Sequence, residues 1–141
     1  IELHGLSIFI KVLNSIYLIM KKVLISGGSG LVGTRLTEIL IEKGYSVSHL
    51  SRSKRPDSIV KSYQWDLSKN FIEKEALEDA DYIIHLAGVP IADKPWTSKR
   101  KKEIIESRSK SAQLLVRTIK ESSHKPKAFI SASAIASSSM P

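Results

Sequence analysis

The stretch Lys22-Val-Leu-Ile-Ser-Gly-Gly-Ser-Gly-Leu-Val-Gly33 decides the fold of this chain. Its residues 23–25 are an apolar run with β-branched members, which is typical of a parallel strand buried on both faces. Three glycines then follow at three-residue spacing, and apolar residues continue to Leu40 with helical periodicity. The stretch therefore predicts a strand, a glycine turn and a helix, in that order.

A strand, a glycine turn and a helix in this order are the parts of a dinucleotide-binding element. Gly27 allows the tight turn, Gly30 lets the backbone approach a pyrophosphate, and Gly33 lets the helix pack closely on the strand. Leu31 and Val32 open the helix, whose unpaired N–H groups and partial positive charge stabilise a diphosphate. We predict that these five residues bind a cofactor; the alternative is a plain strand-to-helix turn. A Walker A loop is excluded, because no Gly-Lys-Ser/Thr follows the turn.

The composition narrows the classes of function that are open to the chain. With 141 residues it forms at most one domain, and the absence of cysteine excludes disulfides and thiolate metal sites. That absence fits a reducing compartment, so we expect a cytoplasmic protein with no bound metal. The formal net charge of +8 makes nucleic acids and membrane surfaces candidate partners. We expect neither, because the basic residues are spread out and no aromatic residues interleave with the run Lys99–Lys102.

Residues 1–19 are apolar but are interrupted by charged residues such as Glu2 and Lys11. No uninterrupted run approaches the roughly 18 apolar residues that span a bilayer, and the features of a signal peptide are missing. Met20 stands almost directly before the first predicted strand. We therefore predict that residues 1–19 are a non-native or poorly ordered extension; a membrane-surface helix is the alternative.

The end of the second predicted strand favours one cofactor over another. The first helix should span Leu31–Lys43, and a second strand should span Ser46–Leu50. An NAD site would place an Asp or Glu after this strand, but the chain has Ser51 and Arg52 there, with no acid before Asp57. Because Arg52 can bind a 2′-phosphate bidentately, the sequence favours NADP over NAD. The alternative is a basic surface loop.

Two further strands add candidate cofactor residues. Tyr63–Leu67 predicts a third strand, which would place Asp66 and Leu67 where the adenine lies in this architecture. A simple loop aspartate is the alternative. Tyr82–Gly88 predicts an almost wholly apolar fourth strand in the sheet interior, where small residues would let the cofactor backbone come close. The candidate residues at its end are Leu86, Ala87 and Gly88.

The remaining segments continue to alternate between helix and strand. We predict a short helix over Ile72–Ala80, a long helix over Ser98–Ser122 and a fifth strand over Ala128–Ala134. His85, inside the fourth strand, is expected to be a buried, hydrogen-bonded histidine rather than a catalytic base. The alternation predicts an α/β fold: a Rossmann-type, doubly wound parallel sheet of about five strands with flanking helices, incomplete in this chain.

Separate segments of the chain resemble one family. Residues 26–33 are similar to the cofactor turn of extended (atypical) short-chain dehydrogenase/reductases, and His85-Leu-Ala-Gly88 is similar to their fourth strand. Other matches resemble the NAD-dependent epimerase/dehydratase family in its sugar-nucleotide-epimerase-like subgroup. These matches are Gly88-Val-Pro-Ile-Ala-Asp-Lys-Pro-Trp-Thr97, Ser107-Arg108 and Phe129-Ile-Ser-Ala-Ser-Ala-Ile135. The resemblance covers Met20 to Ile135 and implies the amino-terminal, NAD(P)-binding part of such a protein.

The resemblance also implies a chemistry, namely hydride transfer with a nicotinamide, assisted by a Ser or Thr, a Tyr and a Lys. Ser133 is the candidate serine and Ser131 the second choice; the alternative is that both are small residues packing at a strand end. The same resemblance assigns Arg108 to the cofactor site. The family usually continues with a glycine and two tyrosines, whereas residues 136–141 form an aberrant tail with no usable Tyr-x-x-x-Lys after Ser133.

These features lead to two functional hypotheses. The first is that residues 20–135 are the cofactor domain of an oxidoreductase or epimerase-like enzyme, with an unknown small-molecule substrate and no activity in this chain alone. The second is a non-catalytic NADP-binding sensor or regulatory module. In both cases an incomplete sheet exposes an apolar edge, so we expect self-association through that edge.

Overall fold

The computed structural model describes residues 2–55, 58–86 and 95–132. Helices and strands alternate along these residues. The elements are α1 (Glu2–Ile19), β1 (Lys22–Ser26), α2 (Leu31–Glu42), β2 (Ser46–Ser51), β3 (Lys61–Asp66), β4 (Phe71–Ile72), α3 (Glu75–Glu78), β5 (Tyr82–His85), α4 (Ser98–Glu121) and β6 (Ala128–Ser131).

The strands form one sheet in the order β4-β3-β2-β1-β5-β6, and every neighbouring pair is parallel except β3 with β4. From β1 the chain winds outward to β2 and β3, and it then crosses to the other side of β1 to form β5 and β6. Helices α2 and α4 pack on opposite faces of the sheet, as right-handed crossovers in opposite directions require. The predicted α/β, Rossmann-type, doubly wound fold is confirmed.

Each face of the sheet buries its own apolar cluster, and β1 contributes to both. Leu24 packs into the cluster that includes Leu114 and Leu115 of α4. Ile25, the next residue, packs into the cluster that includes Leu36 of α2. Because alternate strand residues point to opposite faces, this division confirms that β1 is buried on both sides.

The segment after β3 differs from the predicted helix over Ile72–Ala80. Phe71–Ile72 instead pairs antiparallel with the end of β3 as β4, which brings the strands of the described residues to six. Ile72 is buried in the core, and the carboxylate of Glu73 accepts a backbone N–H of β3 over 2.7 Å. Helix α3 is limited to Glu75–Glu78. The prediction was wrong at Ile72 because a hairpin back onto β3 both buries this side chain and pairs the edge strand.

Residues before the sheet form helix α1, whose side chains from His4 to Ile19 are exposed. The helix spans a long run of residues without proline. No helix in the described part of the chain is long and apolar enough to cross a membrane. The assignment of residues 1–19 to an extension outside the cofactor domain remains a prediction, and the predicted tail 136–141 lies outside the described residues.

Candidate functional site

The predicted glycine turn lies at the carboxyl end of β1, next to the point where the winding of the sheet reverses between β1 and β5. Gly27 has a φ of +78°, a left-handed backbone conformation that glycine adopts without strain. The N–H of Gly30 then donates to the carbonyl of Gly27 over 3.2 Å. The carbonyl of Gly30 accepts the N–H of Thr34 over 2.8 Å, which begins the hydrogen bonding of α2. The turn and the helix start therefore lie where the sequence predicts them.

Gly33 is buried where the first turn of α2 crosses the glycine turn. A Cβ on Gly33 would lie 2.3 Å from the carbonyl oxygen of Gly27 and 2.6 Å from the Cα of Gly28. Any side chain at this position would push the helix away from the turn. The close approach predicted for Gly33 is present, but the neighbour is the turn itself rather than the strand.

The start of α2 is open to solvent on the side away from the core. Leu31 is 92% exposed and Val32 is 66% exposed. Gly30 is also exposed; its backbone is extended, and no side chain caps the helix there. The first N–H groups of α2 are thus accessible to an anion, and a helix start with this geometry can hold a diphosphate.

Ser51 and Arg52 lie at the same edge of the sheet, because β2 is the neighbour of β1 and ends at Ser51. The side chain of Arg52 is exposed, and its backbone carbonyl accepts the side-chain N–H of Gln64 over 3.4 Å. Glu73, which directly follows β4, forms an ion pair with Lys54 over 3.2 Å. The guanidinium of Arg52 forms no ion pair with any other described residue, which leaves it open to an anionic group.

Asp66 and Leu67 follow at the end of β3, one strand further from β1. Oδ1 of Asp66 accepts the hydroxyl of Ser68 over 2.6 Å and the backbone N–H of Ser68 over 2.9 Å. The hydroxyl bond is the main reason that the pKa of Asp66 lies below its usual value. In this structure Asp66 stabilises a local turn, while Leu67 is 39% exposed. Contact of either residue with an adenine remains a prediction.

His85 is the central polar group beneath this edge of the sheet. Its Nδ1 lies 2.5 Å from the hydroxyl oxygen of Ser26, the last residue of β1, and its Nε2 lies 2.9 Å from that of Ser111 in α4. All three side chains are buried. The imidazole stacks on Phe129 and meets Trp65 edge-on, with ring centroids 6.3 Å apart in both pairs. The prediction of a buried, hydrogen-bonded histidine is confirmed.

The hydrogen bonds fix the tautomer of His85. The hydroxyl of Ser111 donates to the carbonyl of Ser107 over 2.7 Å, so its oxygen must accept from the Nε2–H of His85. Nδ1 is then the acceptor for the hydroxyl of Ser26. Burial lowers the pKa of His85, because water no longer stabilises the charged form. The imidazole is therefore neutral at physiological pH, and both of its nitrogens are engaged.

Arg108 connects α4 to the end of β6. Its Nη1 donates to the carbonyl of Ala132 over 3.1 Å, and the N–H of Ala132 donates to the carbonyl of His85 over 3.0 Å. The buried Nε of Arg108 has no hydrogen-bond partner among the described residues. Ser131, the second-choice catalytic serine, is exposed at the end of β6 beside these groups.

The structure thus brings several predicted residues to one edge of the sheet, at the carboxyl ends of β1, β2, β5 and β6. Leu86 joins them, because its N–H donates to the carbonyl of Ser26 over 2.9 Å. Ala87, Gly88 and Ser133 lie outside the described residues. In the segments that the structure describes, no cluster of His, Asp and Glu side chains could hold a metal ion.

His49 is a residue of this site that the sequence analysis missed. It lies in β2 opposite Ile25 of β1, with its imidazole against the backbone of Gly28. The available signal was Gly28 itself, a glycine outside the three-residue spacing of the turn. A glycine without a conformational reason indicates a neighbour that leaves no room for a side chain.

A doubly wound sheet with a glycine turn beside its winding reversal defines the Rossmann-type class of dinucleotide-binding domains. Comparisons with known proteins agree with that class. The profile of the family described as NAD dependent epimerase/dehydratase matches residues 23–140. The epimerase family protein YfhF of Bacillus subtilis is 36% identical over 112 residues, which cover 78% of this chain and 36% of YfhF.

Two solved structures are similar to this chain. Human epimerase family protein SDR39U1 (isoform 2) with NADPH superposes with a TM-score of 0.65 at 29% identity, over 82% of this chain and 37% of that chain. The nucleoside-diphosphate sugar epimerase of Corynebacterium glutamicum superposes with a TM-score of 0.63 at 32% identity, over 84% of this chain and 23% of that chain.

The chain belongs to the NAD dependent epimerase/dehydratase family. The family resemblance of the sequence is confirmed, and the match falls on the amino-terminal part of the relatives. The chain spans 37% of the length of the bovine SDR39U1 protein, to which it is 32% identical over 117 residues.

Proposed function

We propose that this chain is the cofactor-binding part of a nicotinamide-dependent oxidoreductase or epimerase-like enzyme, and that its cofactor is NADP. The observation that carries the proposal is the glycine turn, which exposes the backbone of Gly30 and the start of α2 at the winding reversal of the sheet. This edge is where open α/β sheets bind their ligands. The space at Gly33, which a Cβ would fill, lets the helix start lie close enough to the turn to form one anion site.

The preference for NADP rests on Ser51 and Arg52. Both follow a strand that neighbours the glycine turn, at the position where an NAD site carries an acid that holds the ribose 2′-hydroxyl. A guanidinium there attracts a 2′-phosphate, and its planar donors match phosphate oxygens bidentately. The human relative solved with NADPH supports this preference. NAD is the second choice.

Fluorescence titration of the chain with NADPH and NADH tests both parts of the proposal. We expect tighter binding of NADPH, and we expect Arg52→Asp to reverse the preference, because a carboxylate repels the 2′-phosphate and accepts from a free ribose hydroxyl. Arg117→Asp is the matched control, since Arg117 is an exposed arginine near the end of α4 and makes the same change of charge. An outright preference of the unmodified chain for NADH would contradict the role of Arg52.

In the whole protein, a bound nicotinamide would supply hydride transfer to or from a hydroxyl or carbonyl group, with a sugar nucleotide as one candidate substrate class. We assign Ser133, or Ser131 as second choice, to orient that substrate. The chain alone should not turn over substrate, because no Tyr-x-x-x-Lys pair follows Ser133 among its residues. The second candidate is a non-catalytic NADP-binding sensor or regulatory module.

Turnover by the full-length protein distinguishes the enzyme from the sensor. An enzyme would consume NADPH with a carbonyl substrate, or interconvert a sugar nucleotide, and would lose this activity when Ser133 or Ser131 is replaced by alanine. A sensor would bind NADPH with the same Arg52 dependence and show no turnover.

We also propose that the protein is cytoplasmic, because a chain without cysteine fits a reducing compartment.

A further inference from the structure

Gly28 is a buried glycine whose backbone does not need the freedom of glycine. Among the described glycines, only Gly27 and Gly44 have a left-handed φ. A Cβ built on Gly28, however, would lie 2.4 Å from both Cδ2 and Nε2 of His49 and 2.6 Å from its Cε1. The imidazole edge thus occupies the volume that a side chain on the turn would need.

His49 also reaches the turn by a second route. Its Nε2 lies 2.8 Å from the hydroxyl oxygen of Thr37 in α2, and this hydroxyl donates to the carbonyl of Gly33 over 2.7 Å. A hydroxyl has one proton to donate, so the Nε2–H of His49 must donate to Thr37. One side chain therefore contacts Gly28 directly and Gly33 through a hydrogen-bond relay.

We propose that His49 is a positioning residue for the diphosphate-binding turn: it holds the backbone of Gly28 against β2 and the start of α2 in place through Thr37. This inference rests on the proposed function. The backbone N–H groups of the turn bind a diphosphate well only if they are aligned before the ligand arrives, since alignment during binding costs affinity. A flat ring between turn and strand supplies that alignment.

The chemical state of His49 suits this role. Burial, with a smaller effect from the charge of Arg55, lowers the pKa of the imidazole. At neutral pH the ring is therefore uncharged and carries a single N–H. Because the hydroxyl of Thr37 donates to the carbonyl of Gly33, this N–H donates to Thr37. The ring is half-buried, so its contact with Gly28 is maintained by packing as well as by the hydrogen bond.

The first test compares two ligands in His49→Ala. NADPH contains the diphosphate, whereas adenosine 2′-phosphate carries only the adenine, expected at Asp66 and Leu67, and the ribose 2′-phosphate, expected at Ser51 and Arg52. This substitution removes the hydrogen bond to Thr37, worth about 1 kcal/mol, and the contact of the ring with Gly28. NADPH should therefore bind roughly tenfold more weakly. The affinity for adenosine 2′-phosphate, measured by the same calorimetric titration, should change less than about twofold. Equal weakening of both ligands would overturn the proposal.

The matched control is His124→Ala. His124 is also a part-buried histidine with one bond to a neighbouring group, from its Nε2 to the carbonyl of Ala80 over 2.9 Å, but it follows α4 at the opposite edge of the sheet. We expect this variant to bind NADPH like the unmodified chain, even if its melting temperature falls. If His49→Ala is not folded at the assay temperature, His49→Leu, which keeps apolar volume but has no N–H to donate to Thr37, replaces it, and the loss of affinity should again be confined to NADPH.

The second test is a rescue. Gly28→Ala alone should weaken NADPH binding about tenfold or more, because the new Cβ collides with the imidazole and either the ring leaves its bond to Thr37 or the turn moves. Gly28→Ala combined with His49→Ala removes the collision, and its affinity should return to about that of His49→Ala. A double variant no better than Gly28→Ala would overturn the proposal.

The failure of this inference and that of the proposed function give different results. If the unmodified chain binds neither NADPH nor NADH, the proposed function fails. If the unmodified chain binds NADPH and His49→Ala binds it equally well, the dinucleotide site stands and the positioning role of His49 is wrong.

Discussion

The hydroxyl of Ser26 donates a hydrogen bond to Nδ1 of His85 over 2.5 Å, and this bond joins the last residue of β1 to the last residue of β5. Ser26 directly precedes Gly27, so the bond fixes the start of the glycine turn relative to the neighbouring strand. Ser111 on the other side of the imidazole connects the same point to α4. The buried hydrogen bonds of His85 therefore hold this edge of the sheet together, and their loss should lower the stability of the fold.

We predict that His85→Leu lowers the free energy of unfolding by about 2–3 kcal/mol. The substitution removes one hydrogen-bond acceptor of the buried Ser26 hydroxyl and the donor to Ser111, and it replaces the imidazole with an apolar side chain of similar size. Urea unfolding monitored by far-UV circular dichroism measures this change in the free energy of unfolding. His124→Leu, which loses one hydrogen bond at a less buried position, should cost about 1 kcal/mol or less. Equal losses of unfolding free energy in the two variants would mean that the buried hydrogen bonds of His85 stabilise the fold no more than the single bond of His124 does.

Stability should also fall with pH below neutrality. Burial lowers the pKa of His85 from an ordinary value of 6.5, and burial likewise lowers that of His49. The unfolded chain therefore binds a proton near pH 6.5 that the folded chain resists, so the contribution is complete above pH 6.5 and is lost as the pH falls toward the folded-state value. Each group should add a slope of up to about 1.4 kcal/mol per pH unit.

Urea unfolding between about pH 5 and pH 7.5 measures this slope. Acids such as Asp66 and Glu73, whose ordinary pKa values are 3.8 and 4.5 and are lowered by hydrogen bonds, titrate below that window in the folded state. We expect a smaller slope in His85→Leu than in the unmodified chain. A slope unchanged by this substitution would assign the pH dependence to other groups.

Two alanine substitutions in the glycine turn should separate binding from folding. Gly33→Ala places a Cβ 2.3 Å from the carbonyl oxygen of Gly27, so we expect it to lower both the melting temperature and the NADPH affinity, the latter more than tenfold. At Gly30 a Cβ would lie 3.5 Å from the same oxygen, an ordinary contact. Gly30→Ala should therefore keep its melting temperature but bind NADPH more weakly, because the Cβ occupies the approach of the pyrophosphate.

Thermal unfolding and NADPH titration of both variants check this prediction. Loss of thermal stability in Gly30→Ala comparable to that of Gly33→Ala would contradict the difference in their surroundings. Unchanged NADPH binding in Gly30→Ala would place the pyrophosphate elsewhere.

The outer edge of β6 should promote self-association. This strand is the last in the sheet order, and its Ile130 is 54% exposed on the sheet surface. We expect Ile130→Thr, which keeps the β-branched shape, to shift the chain toward the monomer, because it reduces the apolar area at an unpaired edge. Sedimentation velocity at several concentrations measures the shift. Ile105→Thr is the matched control, since Ile105 is 64% exposed but lies on α4; an equal effect of both would exclude the edge as the contact.

Much of the fold follows from local patterns in the sequence. The apolar run of β1, the glycine spacing and the helical periodicity that follows predicted the first strand, turn and helix to within a residue, because these signals act over one or two turns of chain. The helix predicted over Ile72–Ala80 was wrong at its start for the same reason, since α3 spans only Glu75–Glu78. Its residues are compatible with a helix locally, and only the buried position beside Trp65 in β3 makes a strand pair the better arrangement for Ile72.

The sequence by itself determined the class of this protein and the location of its glycine turn, since strand, turn and helix are adjacent in the chain and their spacing specifies a local geometry. Tertiary structure decided what supports that turn. Ser26 and His85 are 59 residues apart, and no local pattern predicts that they meet. His49 reaches Gly28 only because β2 pairs in parallel with β1 in one particular register, and register is a property of the assembled sheet rather than of either strand alone.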